Sequence, residues 1–209
     1  LTSDQLNSME SNDLQALTTA QVRSLTTDQI NTLSSTQVSV MTTRGIAALS
    51  ATQVARLSTD AVAGLTTDQV KALSTEALNT LTSAQVAALE TEDMAQLTTA
   101  QISKLSNQQI GRLSTDQVFA LTTDQLKALT TSQVSALTSD QLNSLESDDL
   151  QTLSTAQLRA MTATQVIALN TTQVAALSTT QTAALSSTQI TALTSDQLNS
   201  MESNDLQAL

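Results

Sequence analysis

Pairs of carboxylates recur along this chain, each pair three residues apart. The four pairs are Glu10 with Asp13, Glu90 with Asp93, Glu146 with Asp149, and Glu202 with Asp205. Carboxylate oxygens are the ligands that Ca²⁺ prefers in proteins, so these pairs are the candidate metal ligands. The sequence contains neither an EF-hand loop nor a glycine-rich calcium-binding nonapeptide. It therefore favours the alternative, that these acids lie at helix N-termini on a solvated face.

Other kinds of site lack the residues they need. The chain has no His and no Cys, which removes the most common general base and nucleophile. Its three glycines are isolated, and Phe119 is its only aromatic residue, so a phosphate loop and a base-stacking surface are absent. The net charge of −11 opposes binding to nucleic acid. We expect no enzyme activity, no small-molecule substrate, no cofactor apart from a weak Ca²⁺ site, and no membrane insertion.

The carboxylates lie in an octapeptide repeat that runs unbroken through 26 copies, from Leu1 to Ala208. Residues 65–72, LTTDQVKA, are a typical copy. Position 1 is Leu or Met, positions 2 and 3 are mostly Ser or Thr, and position 5 is mostly Gln. Position 6 is aliphatic with one polar exception, Thr182, and position 8 is usually small. One continuous helix would not align these positions, because eight residues turn a helix through 80° more than two full turns.

Each octad instead has the signals of a separate short helix. The Ser/Thr-x-x-Gln pattern at positions 2 to 5 is a capping box. All 19 acids lie at positions 2, 4 or 5, and seven of the eight bases lie at positions 7 or 8. Acids in the first turn and bases in the last turn complement a helix dipole. The exception is Arg44 at position 4, which we interpret as ordinary repeat drift.

These signals predict an all-α repeat solenoid. Each octad contributes one capped helical segment of about 1.5 turns, from position 3 to about position 8. Leu, the position-6 aliphatic residue and Ala are predicted to be interior. Two or three octads per superhelical turn both fit. The alternative fold is a β-solenoid, supported by the Val, Ile and Thr content. Phe119 at position 7 should face outward, and Gly45, Gly64 and Gly111 should lie at helix ends or relieve crowding.

The acidic octads change two positions together. Where position 2 is Glu, position 5 is Asp instead of Gln, which implies that the two positions touch. We expect the helix cap in these octads to move to position 3. A further interpretation is that these octads mark contacts between neighbouring strands of a fibre.

A larger period contains the octads. Residues 193–209 are identical to residues 1–17, so a 192-residue super-repeat restarts at Leu193. We interpret residues 1–209 as a single octapeptide-repeat domain and as a fragment of a much longer chain.

Tandem octads such as LTTDQVKA at 65–72 and LTTDQLKA at 121–128 resemble repetitive tracts of very large bacterial secreted or surface proteins. The resemblance implies an extracellular or cell-surface location and brings no catalytic residues. The leading hypothesis is a structural rod in an extracellular filament, fibre or sheath that associates with itself. The alternatives are the stalk of a giant adhesin and, less favoured, an ice-binding protein with regularly spaced Ser/Thr pairs.

Overall fold

The computed structural model describes residues 2–209, and this part of the chain is all α-helical with no strand. It forms two compact units, one ending at Arg112 and the other comprising Leu113–Leu209. The prediction of an all-α fold is confirmed, and the β-solenoid alternative is wrong. The prediction of a single repeat domain stays a prediction.

One short helix lies in each octad. The helices of the first unit are α1 (Ser3–Asn7), α2 (Ser11–Ala16), α3 (Thr19–Arg23), α4 (Thr27–Asn31), α5 (Ser35–Val40), α6 (Thr43–Ala47), α7 (Ala51–Val54), α8 (Thr59–Ala63), α9 (Thr67–Ala72), α10 (Thr75–Thr80), α11 (Ser83–Ala87), α12 (Thr91–Gln96), α13 (Thr99–Lys104) and α14 (Asn107–Ile110). Those of the second unit are α15 (Thr115–Phe119), α16 (Thr123–Ala128), α17 (Thr131–Ala136), α18 (Ser139–Ser144), α19 (Ser147–Thr152), α20 (Thr155–Ala160), α21 (Ala163–Ala168), α22 (Thr171–Ala175), α23 (Thr179–Ala183), α24 (Ser187–Ala192), α25 (Ser195–Ser200) and α26 (Ser203–Ala208). All begin at position 3, as predicted, and they end at positions 6 to 8, so some are shorter than the predicted segment ending near position 8.

The chain turns between helices through two extended residues, at positions 1 and 2. In α9 the N-cap Thr66 has φ −76° and ψ 157°, and the C-cap Leu73 has φ −63° and ψ 138°. Within residues 2–209 no residue has a positive φ. Because the turn uses extended backbone and no left-handed residue, the repeat does not need a glycine at each helix end.

Within each unit, a helix packs against the helix three octads later, such as α7 against α10 and α18 against α21. Three octads, or 24 residues, therefore make one turn of the coil in each unit. The sequence was compatible with either two or three octads per turn, and this packing shows that there are three.

Positions 1 and 6 form the core. Val70 is fully buried and Leu73 is 4% exposed, and the same positions are buried in most octads. The prediction that Ala at position 8 is interior is wrong for most octads, since residues such as Ala72 are only half-buried. The third interior position is 5, where Gln69 is 1% exposed. A buried amide needs hydrogen-bond partners, and these define the site described below.

The glycines divide between the two expected roles with one exception. Gly64 and Gly111 are the C-caps of α8 and α14, as predicted. A Cβ on Gly64 would lie 2.6 Å from the backbone of Ser35, so this glycine also relieves crowding between turns. Gly45 lies inside α6 at position 5, which corrects the expectation that it lies at a helix end.

Candidate functional site

The buried glutamines at position 5 make hydrogen bonds in two directions, as Gln69 illustrates. Its Oε1 accepts from the backbone N–H of Thr66 at 2.8 Å, and its own N–H donates to Oγ1 of Thr66 at 3.4 Å. These two bonds complete the predicted capping box of α9. Its Nε2 donates to the carbonyl oxygens of Val38 at 2.9 Å and of Met41 at 2.6 Å. Gln69 therefore joins the start of its own helix to the preceding turn.

Bonds of the second kind recur in both units, and we call them the glutamine ladder. In each, Nε2 donates to backbone carbonyls 28 to 31 residues earlier. Among the glutamines that make them are Gln37, Gln53, Gln69, Gln85, Gln101 and Gln109 in the first unit, and Gln141, Gln157, Gln165, Gln173, Gln181, Gln189 and Gln197 in the second. The acceptors are carbonyls near the ends of earlier helices; those at position 6, such as Leu126, also accept from the backbone N–H three residues later.

Sequence reasoning assigned these glutamines to capping and missed the ladder. One signal could have found it. Glu serves a capping box as well as Gln does, and it would suit the first turn of a helix better. Nevertheless position 5 is Gln in 19 octads and Glu in none. Such a strict preference for the amide indicates that its N–H groups have partners.

Three octads have a small residue where the ladder residue would lie: Gly45, Ala61 and Ala77. All three are buried. The N-cap hydroxyl still accepts from the backbone, since Ser58 Oγ accepts from the N–H of Ala61 at 3.0 Å. These octads keep the cap without a side chain that reaches the preceding turn.

In two of the acidic octads, a hydrogen bond between turns runs in the opposite direction. Thr179 Oγ1 donates to Oδ1 of Asp205 at 2.7 Å, and the side chain of Thr67 donates to Asp93. In both pairs the hydroxyl belongs to position 3 of the octad three earlier. Asp93 is 2% exposed and Asp205 is 7% exposed, so both carboxylates lie at the interior ladder position. An ionised carboxylate only accepts hydrogen bonds, which explains the reversal.

The cap of the acidic octads does not move, which corrects our prediction. Their helices still begin at position 3, with Glu as the N-cap residue. The side chains of Glu10, Glu146 and Glu202 make no capping hydrogen bond. Asp93 Oδ2 accepts from the N–H of Glu90 at 3.2 Å and so takes over one bond of the glutamine. We attribute the fixed helix start to the stacking of positions 1 and 6, which is the same in every turn.

Burial raises the pKa of two of these aspartates above the ordinary value of 3.8. For Asp93, the hydrogen bonds from Thr67 and from the Glu90 backbone oppose the increase in pKa, and the charge of Glu92 adds to it. For Asp149, the Glu146 backbone opposes it, and the charges of Glu146 and Asp148 add to it. Both carboxyls are therefore easier to protonate than exposed aspartates.

Five segments of the chain match the ALTTAQ repeat: residues 6–43, 43–75, 86–123, 119–146 and 142–179. Together they cover well over half of the sequence. The chain belongs to the ALTTAQ repeat family. No curated protein matches it. The membership confirms that the octads are a recognised repeat. It does not identify a particular protein.

The acidic ALTTAQ octads do not bring carboxylates together in larger groups. Each predicted Glu–Asp pair lies at the N-terminus of a single helix: α2, α12, α19 or α26. Over residues 2–209, no three acidic side chains come close enough to hold a metal ion. An open cleft between α2 and α5 is lined by Glu10 together with polar residues such as Asn12 and Gln37. The Ca²⁺ hypothesis stays a prediction.

Two apolar side chains stand out on the surface of the second unit. Phe119 is 53% exposed and Ile167 is 50% exposed, both at position 7. The outward position of Phe119 was predicted.

In the part of the chain that the structure describes, no helix is both long and apolar enough to span a bilayer.

Proposed function

We propose that this ALTTAQ chain is a structural rod that belongs to an extracellular filament, fibre or sheath and associates with copies of itself. The glutamine ladder is the main support for this proposal. It repeats one bonding pattern from turn to turn within each unit, as Gln53 does with Leu25 and Gln69 with Met41. A pattern that joins each turn to the one before it suits a coil whose role is length.

The polar surface is a second support. Positions 2 to 4 present Ser, Thr and acidic side chains on the outside, and the side chains at positions 1, 5 and 6 are mostly buried in the core. With so few exposed apolar residues, such a rod would stay soluble at great length. The proposed role involves no catalysis, nucleic acid or small-molecule substrate. The proposed cell-surface location rests on the resemblance to large bacterial surface proteins.

The test is electron microscopy and fibre diffraction of the native full-length protein. Packed helices lie about 8–10 Å apart, so we expect an axial spacing of about 8–10 Å per turn. The 192-residue super-repeat contains eight groups of 24 residues and should add a period of about 65–80 Å. Flexible particles without either spacing would refute the proposal. Separate threads ending in globular heads would instead identify the stalk of an adhesin.

Self-association has its own test, because like-charged chains repel one another. If the rods bundle, low ionic strength should loosen the bundles and divalent cations should tighten them. Light scattering across a salt series, with and without a chelator, measures both effects. Bundles that respond to neither would contradict this part of the proposal.

A further inference from the structure

The acidic octads interrupt the glutamine ladder, and octad 145–152 shows the consequence within one unit. Gln157 in the following octad donates to the carbonyls of Leu126 and Leu129, 31 and 28 residues earlier. At the same register, the carbonyls of Val118 and Leu121 lie 31 and 28 residues before Asp149. An ionised aspartate has no hydrogen to donate. Those two carbonyls therefore receive no ladder bond from position 149.

The charges around Asp149 should weaken the contact between turns more than the loss of the ladder hydrogen bond alone. Its own helix, α19, carries Asp148 and begins at the N-cap Glu146. The two helices packed against α19 are α16 and α22. Helix α16 contributes Asp124 and Lys127, and α22 contributes no charged residue. Asp149 is half-buried, so its negative charge is partly removed from water, and Lys127 is the only cation on α19 and the two helices packed against it.

We infer that the contact between α16 and α19 is a built-in breakpoint, where the coil of the second unit opens before its other turns and which protonation of Asp149 closes. A protonated carboxyl has an O–H that can donate to a facing carbonyl. Protonation also removes the negative charge from this partly buried position. This inference concerns the chain itself and stands whether or not the rod forms filaments.

The same unit supplies the internal reference. Helices α20 and α21 carry ladder glutamines, Gln157 and Gln165, which donate to the preceding turn. They differ from α19 at position 5 and have the same length and the same helix start. They also differ from α19 at other positions, including the N-cap residue, so variants of Asp149 within α19 itself are needed to isolate the effect of position 5.

The test is hydrogen–deuterium exchange of the full chain near neutral pH, resolved to peptides that cover α19, α20 and α21. We expect the α19 amides to exchange fastest in the parent. Asp149→Gln restores the donor and should slow α19 exchange about tenfold, the effect of roughly one hydrogen bond. Asp149→Ala removes the charge without adding a donor and should fall between the two. The matched control is Asp196→Asn, an exposed aspartate in α25 of the same unit, which should leave α19 unchanged.

Two results would overturn the inference. One is equal exchange of α19, α20 and α21 in the parent, and the other is an Asp149→Gln variant that exchanges like the parent. Repeating the comparison at about pH 4, close to the ordinary Asp pKa, tests closure by acid. After correction for intrinsic exchange, the gap between parent and Asp149→Gln should shrink. A gap that stays the same at both pH values would show that protonation does not close the contact.

Discussion

Gln157 donates from Nε2 to the carbonyl oxygen of Leu129 at 2.8 Å, although 28 residues separate them. Through Oε1, the same side chain accepts from the backbone N–H of Ser154, also at 2.8 Å. One buried amide therefore sets the start of α20 and its stacking on the preceding turn. Only a side chain with both an acceptor and a donor can do this, which accounts for the dominance of Gln at position 5.

Gln157→Glu tests this double role. The carboxylate keeps an acceptor for the cap but loses the donor and adds a buried charge. We expect the free energy of unfolding to fall by about 1–3 kcal/mol, measured by urea titration. Gln207→Glu, at an exposed position 7, is the control and should change it by less than about 0.5 kcal/mol. Equal effects at the two positions would contradict the ladder.

The helices could be predicted from the sequence because their signals are local. The capping box of Thr66 and Gln69 involves residues three apart, and its pattern is readable in every typical octad. The number of octads per turn could not be predicted, because it depends on packing between residues 24 apart, such as those of α7 and α10. The ladder was missed for the same reason. The capping box accounts for the hydrogen bond that Gln69 Oε1 accepts, and nothing within one octad indicates that Nε2 reaches Met41.

The acidic octads show a second limit of sequence reasoning. The joint change at Glu90 and Asp93 correctly indicated that positions 2 and 5 touch, since the N–H of Glu90 donates to Asp93. The predicted shift of the cap failed because it treated the octad as an isolated helix. In the folded chain, the buried Met94 and Leu89 fix where that helix begins.

Positions 2 and 3 should differ in their effect on stability, although both are Ser or Thr. Thr130 Oγ1 accepts from the N–H of Gln133 at 3.2 Å and caps α17. Thr131 is the first residue of that helix and is exposed. Thr130→Ala should lower the free energy of unfolding by about 1 kcal/mol, and Thr131→Ala by less than about 0.5 kcal/mol. Thermal or urea unfolding of the two variants side by side measures both changes. A larger loss of stability in Thr131→Ala would contradict the assignment of Thr130 as the capping residue.

Thr182 is the one polar residue at position 6, and replacing it should stabilise the chain. It is fully buried, and its Oγ1 has no hydrogen-bond partner within the described residues. Thr182→Val keeps the shape and removes the unpaired hydroxyl, so the free energy of unfolding should rise by about 1–3 kcal/mol. Thr188→Val, at an exposed position, is the control. An unchanged or lowered denaturation midpoint for Thr182→Val would show that the hydroxyl has a partner.

Gly64 is required by the close approach of two turns. A Cβ there would lie 2.6 Å from backbone atoms of Ser35, and backbone cannot move aside cheaply. Gly64→Ala should destabilise the chain by about 1–3 kcal/mol. Gly45→Ala is the matched control, because its nearest neighbour is the cap hydroxyl of Thr42 at 3.2 Å, and alanine already occupies this position at Ala61. That variant should be neutral or stabilising by up to about 1 kcal/mol. Similar losses for both would contradict the close approach.

The raised pKa of Asp149 predicts how stability depends on pH. Burial is its main cause, and the charges of Glu146 and Asp148 add to it. Because the folded pKa lies above the unfolded value of 3.8, the folded state binds the proton more tightly. The stabilisation is fully present below that value and is lost as the pH rises through the folded pKa.

Asp149→Asn cannot ionise, so its free energy of unfolding should increase relative to that of the parent as the pH rises from about 3 to about 6. Thr182→Val changes no titratable group and should differ from the parent by the same amount at every pH. A gap between Asp149→Asn and the parent that is constant, or that closes as the pH rises, would mean that the pKa of Asp149 is not raised in the folded chain.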